Sequence, residues 1–221
     1  MLFPLAFSAC GGGEDEPEQR TVVEIDDGII WTDAPKCFVQ EYIEVTGLSA
    51  EPRSGCARVG CLGRTVEAHL VRSQFDCSYE GKYINPSTNF AVLDDFRTIA
   101  LVSDSDFDDQ HKAGTSLADI VMFAGASPYD FIACGYRDAC NWDDVDIEFY
   151  KRGVYAYEYG YAPVYRRLSE MDAADYRLIH PGFCLVYLEQ PTLSKTHNLT
   201  LTVTDNKGKA FTVTWRQAFG E

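Results

Sequence analysis

The sequence has few basic residues: Lys and Arg number 19 against 34 Asp and Glu, and the formal net charge is −15. A nucleic-acid-binding protein needs a cationic surface for the phosphates, so this balance argues against that class and against attraction to an anionic membrane surface. There is also no apolar stretch of about 20 residues, the length that a transmembrane helix needs. A Gly-x-Ser-x-Gly nucleophile elbow, a phosphate-binding glycine loop and a paired-histidine zinc motif are absent as well. These absences argue against a nucleic-acid-binding protein, and they leave an acidic protein in which no common catalytic motif indicates an enzyme class.

The N-terminus is apolar and uncharged, and it reads MLFPLAFSAC from Met1 to Cys10. Such a segment is too short to span a bilayer and has the composition of the end of a secretory signal peptide. Residues 7–10, FSAC, resemble the lipobox of bacterial lipoproteins. The resemblance implies that Cys10 is lipidated and attaches the protein to a lipid membrane. It also implies export to the bacterial cell envelope, as an outer-membrane lipoprotein that faces the periplasm or the cell surface.

Residues 11–20, GGGEDEPEQR, follow this cysteine. Glycines and like charges cannot bury apolar surface, so we predict a flexible acidic tether, of the kind that lipoproteins carry. The remaining residues, 21–221, are predicted to form a β-rich domain. A sub-boundary near residue 168 is an alternative, but the tail after it is short for an independent domain.

The chain has eight cysteines, which is many for a cytosolic protein of this size and ordinary for an exported one. With Cys10 lipidated the remaining number is odd, so one thiol is left over or pairs with another molecule. The rival interpretation, a zinc site, fits poorly because the cysteine spacings are wider than usual and no histidine pair is near. The disulfides that we expect are Cys56 with Cys61, Cys134 with Cys140, and Cys37 with Cys77. Cys184 is then the thiol left over.

The clearest structural signal lies near the C-terminus. Between residues 199 and 215, apolar and threonine side chains alternate on either side of the turn-rich tetrad Asp205–Gly208. Period-two alternation around such a turn predicts a β-hairpin with one buried face. Residues 198–215 resemble the last hairpin of bacterial immunoglobulin-like and PKD-like extracellular domains, and residues 181–187 are similar to the strand before it. The resemblance implies an immunoglobulin-like fold for this part and implies nothing about chemistry.

The rest of the body also has short strand-like patterns and little helical periodicity. The segments that we predict as strands are 38–45, 65–71, 99–102, 131–134, 145–150 and 183–188. Ser116–Asp119 and Ser169–Asp172 have the spacing of a helix N-cap, so each predicts a short helix. The predicted fold is therefore mainly β, an antiparallel β-sandwich with one or two short helices, with an α+β fold as the alternative.

Acidic residues are concentrated between residues 94 and 148, which hold 13 Asp or Glu and three Lys or Arg, a net charge of −10. Closely spaced like charges need solvent, a cation or a basic partner. The candidate Ca²⁺ ligands are Asp104, Asp106, Asp108 and Asp109, whose spacing partly resembles an EF-hand loop. The other interpretation, which we favour, is a solvated acidic turn without a cofactor.

Four tyrosines recur at every second position from residue 155 to 161, so in a strand they would share one face. An exposed row of aromatic rings suits a sugar or a peptide, whereas a buried row is ordinary core packing. The candidate ligand-binding residues are Tyr155, Tyr157, Tyr159 and Tyr161.

Three functions remain open at this point. The leading hypothesis is a non-catalytic, lipid-anchored extracytoplasmic module for binding or adhesion, with a glycan or a protein as ligand. The second is an extracellular or envelope hydrolase that uses carboxylates of segment 94–148, because paired carboxylates for glycoside hydrolysis need no fixed spacing. The third is a structural envelope lipoprotein. No catalytic residue is assigned, and no nucleic-acid partner is expected.

Overall fold

The structure, a computed structural model, describes most of the chain from residue 37 onward and one short hairpin before it. The described residues are 22–25, 28–31, 37–67, 76, 79, 89–138 and 160–220. The sequence predictions that lie outside them concern Cys10, the tether 11–20, Cys77, Cys140, the strand 145–150, Tyr155, Tyr157 and Tyr159.

The chain consists of two compact units, with the boundary between Ala34 and Pro35. In the first unit, β1 (Val22–Ile25) pairs with β2 (Gly28–Trp31) as an antiparallel hairpin.

The second unit contains nine described strands, one short α-helix and one 3₁₀-helix. The helices are α1 (Tyr129–Ala133) and the 3₁₀-helix Leu168–Glu170. In chain order the strands are β3 (Glu41–Arg53), β4 (Cys56–Glu67), β5 (Phe90–Val92), β6 (Phe96–Ser103), β7 (Val121–Ser127), β8 (Ala162–Arg167), β9 (Gly182–Tyr187), β10 (Thr196–Asp205) and β11 (Ala210–Ala218).

The strands form two sheets, one of six strands in the order β5-β3-β4-β9-β7-β8 and one of three strands in the order β11-β10-β6. Neighbouring strands are antiparallel except for the short parallel pair β3–β5. The prediction of a mainly β, sandwich-like fold is confirmed. Because β9 lies between β4 and β7, the six-stranded sheet continues across the sub-boundary considered near residue 168.

The predicted C-terminal hairpin is the β10–β11 pair. Leu199, Leu201 and Val203 are fully buried, and the threonines between them lie on the opposite face. The turn is held by Asp205, whose carboxylate accepts hydrogen bonds from the backbone N–H groups of residues 207 and 209 at 2.9 and 2.8 Å. Alternation and turn chemistry agree here, which is why the predicted hairpin matches the observed one to within three residues at each end.

Three other segments that were predicted as strands can be compared with the structure. Segments 99–102 and 183–188 do lie in strands, β6 and β9. Residues 131–134 were expected to be a strand, but they belong to α1 and the turn after it, so that prediction is wrong. A four-residue apolar run cannot distinguish a buried strand from a buried helix.

The two predicted helices differ from the structure as well. Ser116–Asp119 forms a bridge to Val102 and a turn, so the expected helix is absent. A short helix of one to three turns is expected from Ser169, and the structure has a single 3₁₀ turn there that begins one residue earlier, at Leu168. A serine–aspartate spacing indicates a turn whose N–H groups are capped, and the following residues decide whether a helix continues.

The two faces of the six-stranded sheet bury different cores, because successive residues of a strand point to opposite sides. We call the core between the two sheets the inner core; it contains Phe123, Phe183 and Leu185 of this sheet and Leu199 and Leu201 of the other. We call the core on the second face the outer core. Its members include Tyr42, Cys184, Phe38, Phe131 and Tyr161.

Candidate functional site at the loop end of the sandwich

Four connecting segments meet at one end of the sandwich, which we call the loop end. They are the β3–β4 turn, the acidic loop 104–120, the loop 188–195 and the residues that follow β11. Backbone hydrogen bonds join them: Tyr187 N–H to Gly55 O, Leu188 N–H to Ile120 O, Thr192 N–H to Phe107 O and Phe219 N–H to Lys195 O, at 2.8–3.0 Å. Loops that a rigid scaffold presents together are the usual place for binding residues.

A buried histidine organises the acidic loop. The Nδ1 of His111 lies 2.7 Å from the Asp108 carboxylate, and its Nε2 lies 3.1 Å from both oxygens of Asp119. Burial acts to lower the pKa of His111, but the hydrogen bonds with these two carboxylates outweigh it and raise the pKa above its usual value. The same interactions, led by the hydrogen bond from His111, lower the pKa of Asp108. In its protonated form, the His111 ring thus joins two parts of a loop whose carboxylates would otherwise repel each other.

The other carboxylates of the acidic loop have separate partners. Asp104 accepts hydrogen bonds from the backbone N–H and the side-chain amide of Asn198 at 3.0 and 2.7 Å. Asp106 accepts the N–H of Ala113 at 2.9 Å and pairs with Lys112 at 3.2 Å. Hydrogen bonds thus lower the pKa of Asp104, chiefly from Asn198, and that of Asp106, chiefly from Ala113.

The four predicted Ca²⁺ ligands consequently do not converge on one point. Asp104, Asp106 and Asp108 each face different partners, and Asp109 lies 3.7 Å from the Lys112 amine. Within the described part of the chain, no group of three His, Cys, Asp or Glu side chains is arranged to hold a metal ion. Ca²⁺ at this loop stays a prediction, and it would require Lys112 to move away from the carboxylates.

A cleft of about 450 Å³ opens at the loop end. The residues that line it are Pro52, Arg53, Ser54, Gly55, Gln190, Arg216, Gln217, Ala218, Phe219 and Gly220. Pockets for small ligands have volumes of about 300–1,000 Å³, so the cleft is large enough for one.

The floor of the cleft is rigid. The Gln217 side chain is buried, and its Nε2 donates hydrogen bonds to the carbonyls of Arg53 and Ala218 at 3.0 and 3.1 Å. Its Oε1 accepts the hydroxyl of Tyr187 at 3.3 Å. The buried Phe219 ring packs against Tyr187 on one side and against Phe107 of the acidic loop on the other, with centroids 4.9 and 5.4 Å away. The floor thus connects the cleft to the acidic loop.

The rim of the cleft is polar. Arg216 and Gln190 are exposed side chains, and Ser54 and Gly55 contribute the β3–β4 turn. The Lys195 amine also lies near the cleft, because it would be 3.3 Å from a Cβ built at Gly220. Cationic and amide donors are therefore available to a ligand with anionic or hydroxyl oxygens.

A histidine at the start of β10 contacts one buried and one partly exposed serine. The Nδ1 of His197 lies 2.8 Å from the Ser103 hydroxyl and 3.0 Å from that of Ser105, and its Nε2 donates to the Ser194 carbonyl at 2.7 Å. Ser103 and His197 are at most 2% exposed, so a substrate cannot reach the Ser103 hydroxyl. These bonds attach β10 to the end of β6.

Tyr161 does not belong to a ligand-binding surface. It is 0% exposed, and its hydroxyl donates a hydrogen bond to the Phe90 carbonyl at 2.7 Å. The prediction that Tyr161 binds a ligand is therefore wrong, because the ring is part of the outer core beside Phe38. For the other three tyrosines the prediction stays untested.

The expected disulfide between Cys56 and Cys61 is also wrong. Both residues lie on β4, and five steps along a strand separate their Cα atoms by about 16 Å, whereas a disulfide needs less than about 7 Å. They also point to opposite faces of the sheet. The thiol of Cys134 donates to the Phe131 carbonyl at 3.2 Å.

The cleft is the feature that sequence analysis missed. Its residues come from three distant stretches, 52–55, 190 and 216–220, and none of them forms a motif. The available signal was the Ser54–Gly55 turn between two alternating segments, which marks a hairpin tip but not what packs beside it.

Comparisons with protein-family models, with curated proteins and with solved structures each found no match. Among the helices of the described residues, none is long and apolar enough to cross a membrane.

Proposed function

We propose that the chain is a lipid-anchored extracytoplasmic binding module that takes its ligand in the cleft at the loop end. The observation that supports this proposal best is the cleft itself, about 450 Å³ in volume and built on a hydrogen-bonded floor. A site whose walls are held before the ligand arrives loses less entropy on binding.

The ligand that suits the rim is a glycan with carboxylate groups. Arg216 offers a paired donor for a carboxylate, and Gln190 offers an amide that can bond sugar hydroxyls. A protein ligand is the alternative, but a stable protein interface buries about 800 Å² on each partner and would extend well beyond this cleft.

Titration calorimetry on the full chain tests the proposal with a panel of acidic and neutral oligosaccharides. An acidic sugar should bind, and Arg216→Gln should weaken binding about 10- to 100-fold, the value of one charge-assisted hydrogen bond. Arg64→Gln is the matched control, because Arg64 is an exposed arginine of β4 that pairs with Glu44 far from the β3–β4 turn. Equal affinities in the two variants would place the ligand elsewhere.

The anchor is tested separately. The lipobox resemblance of residues 7–10 supports lipidation at Cys10, so cells that express the chain should incorporate a fatty-acid analogue into it. Cys10→Ala should abolish that label and release the protein from the membrane fraction. A chain that stays labelled after this substitution would contradict the lipoprotein assignment without affecting the cleft.

A further inference from the structure

Two cysteines that the sequence did not pair lie side by side in the sheet. In the β4–β9 ladder, Cys56 is opposite Val186, and Arg58 is opposite Cys184. Cys56 and Cys184 are thus diagonal neighbours on adjacent antiparallel strands, and both point to the outer face of the sheet.

The two thiols are in contact and buried. Cys56 is 7% exposed and Cys184 is 1% exposed. A hydrogen bond joins the two side chains, and this bond, together with burial, raises the pKa of Cys184 above its usual value. Diagonal neighbours on adjacent strands have Cα atoms about 7–8 Å apart, so a bond between these sulfur atoms requires new side-chain rotamers and a slight approach of the two strands.

We propose that Cys56 and Cys184 are joined by a disulfide that links β4 to β9 at the base of the β3–β4 turn. The oxidant is a disulfide of a thiol–disulfide exchange system. One thiolate attacks it and releases one thiol, and the second cysteine then displaces the other half as a second thiol. Two protons and two electrons leave the cysteine pair, and the oxidant is reduced to two thiols.

The position of the bond gives it a role in the cleft. Cys56 directly follows Gly55, which lines the cleft, and Tyr187 N–H donates to Gly55 O from the strand that carries Cys184. A covalent link here prevents β4 and β9 from separating beneath the turn. Its presence in the cell rests on the proposed export, because disulfides persist in oxidising compartments.

Peptide mapping tests the bond without any substitution. The reduced, unfolded full chain is refolded in a buffer that contains oxidised and reduced glutathione, alkylated after renewed unfolding and digested with trypsin. The expected product is a linked pair, residues 54–58 (SGCAR) joined to residues 178–195 (LIHPGFCLVYLEQPTLSK). Cys61 is the internal control, since residues 59–64 (VGCLGR) should not be joined to residues 54–58. Recovery of both alkylated peptides after oxidation would overturn the proposal.

Thermal unfolding supplies an independent readout. The oxidised chain should melt roughly 5–15 °C above the reduced chain if this bond forms, since it closes a long loop. In Cys56→Ala or Cys184→Ala the shift between oxidised and reduced protein should fall by that amount, whereas Cys61→Ala should keep it. An unchanged shift in all three variants would contradict the bond.

The experiments can contradict the disulfide and the extracytoplasmic location independently of each other. The glutathione experiment depends only on the geometry of the thiols, so its failure says nothing about export. A chain that forms the bond in vitro but is isolated from cells fully reduced would instead contradict the extracytoplasmic location.

Discussion

The two faces of the six-stranded sheet are covered in different ways. The inner core lies between two sheets, whose backbone groups are satisfied by strand pairing, and it is mostly apolar, with the polar side chains of His197, Asp205 and Gln217 buried toward its ends. The outer core is covered partly by residues that lie outside the described strands and helices, namely Phe38, Asp76, Tyr79 and Tyr161. Irregular chain has no ladder partners for its backbone, so buried polar side chains must supply them.

Asp76 is the main example of a buried polar side chain that supplies hydrogen-bond partners to the backbone. It is fully buried, and its carboxylate accepts the N–H groups of Phe38 and Val39 at 2.8 and 2.9 Å and the hydroxyl of Tyr136 at 2.7 Å. Asn89 does the same for a carbonyl, donating its side-chain amide to Phe38 O at 3.0 Å. Apolar residues of the inner core therefore stabilise the fold through the volume that they fill, whereas Asp76 and Asn89 stabilise it through their hydrogen bonds.

The largest effect should come from removing volume in the inner core. Phe183→Ala should lower the free energy of unfolding by about 3–5 kcal/mol, because the ring packs on Phe123 and Phe96 in a fully buried site. Denaturant titration measures the loss, and Phe183→Leu is the volume control with a smaller cost. A loss below about 1 kcal/mol would show that this core is loosely packed.

Removing the Asp76 carboxylate from the outer core should lower the free energy of unfolding slightly less than Phe183→Ala does, and by a different mechanism. Asp76→Ala should destabilise the fold by about 2–4 kcal/mol, because it leaves three donors without an acceptor. Tyr136→Phe removes a single donor and should cost about 1 kcal/mol. If both variants lose the same amount, the carboxylate acts through packing instead.

The cost of Asp76→Ala should also depend on pH. Burial raises the pKa of Asp76 above 3.8, although the three hydrogen bonds oppose the effect. The folded state therefore gains stability from this group below its unfolded pKa and loses it as the pH rises through the raised value. Destabilisation by Asp76→Ala should thus be larger at acid pH than at neutral pH.

A third test concerns how closely the outer core approaches its covering chain. Gly160 has a φ of +83°, and a Cβ there would lie 2.5 Å from Phe38 Cζ and 2.6 Å from Phe131 Cδ1. Gly160→Ala should cost about 2 kcal/mol in unfolding titrations, from backbone strain and overpacking together. Gly208→Ala is matched in φ, at +84°, but meets nothing within 4 Å, so it isolates the strain at about 1 kcal/mol. Equal losses would exclude overpacking.

The smallest expected effects on stability come from two histidines, His111 and His180, whose contributions should depend on pH in opposite directions. The pKa of His111 is raised above 6.5 by Asp108 and Asp119 despite burial, whereas burial lowers that of His180 beside Tyr161. His111 therefore contributes stability below pH 6.5 that is lost as the pH rises through its raised pKa. His180 contributes stability above pH 6.5 that is lost as the pH falls.

Melting temperatures between pH 5 and 8 check these signs. His111→Gln should lower Tm by roughly 1–3 °C, mostly at the acid end, because the loop loses a partly exposed ion pair. His180→Gln should improve Tm at the acid end relative to the neutral end. Parallel pH profiles for the two variants would contradict the opposite signs.

The strands with strict alternation, β10 and β11, were predictable from sequence, and β9 was predicted from a longer run of apolar and aromatic residues. Residues 131–134 were not predictable, because an apolar run in the outer core is compatible with either a helix or a strand. The candidate site was the least predictable part. Asp106 and Asp108 were identified as carboxylates, but Asp106 pairs with Lys112 and Asp108 pairs with His111, and these contacts decide what the carboxylates bind.

The sequence by itself determined the mainly β fold, the C-terminal hairpin and the acidic character of segment 94–148, because these follow from local alternation, turn residues and composition. Only the tertiary structure decided that Tyr161 is buried, that Cys56 lies beside Cys184 and not Cys61, and that the cleft exists. Each of these depends on which strands become neighbours, and strand order is set by packing across the whole domain.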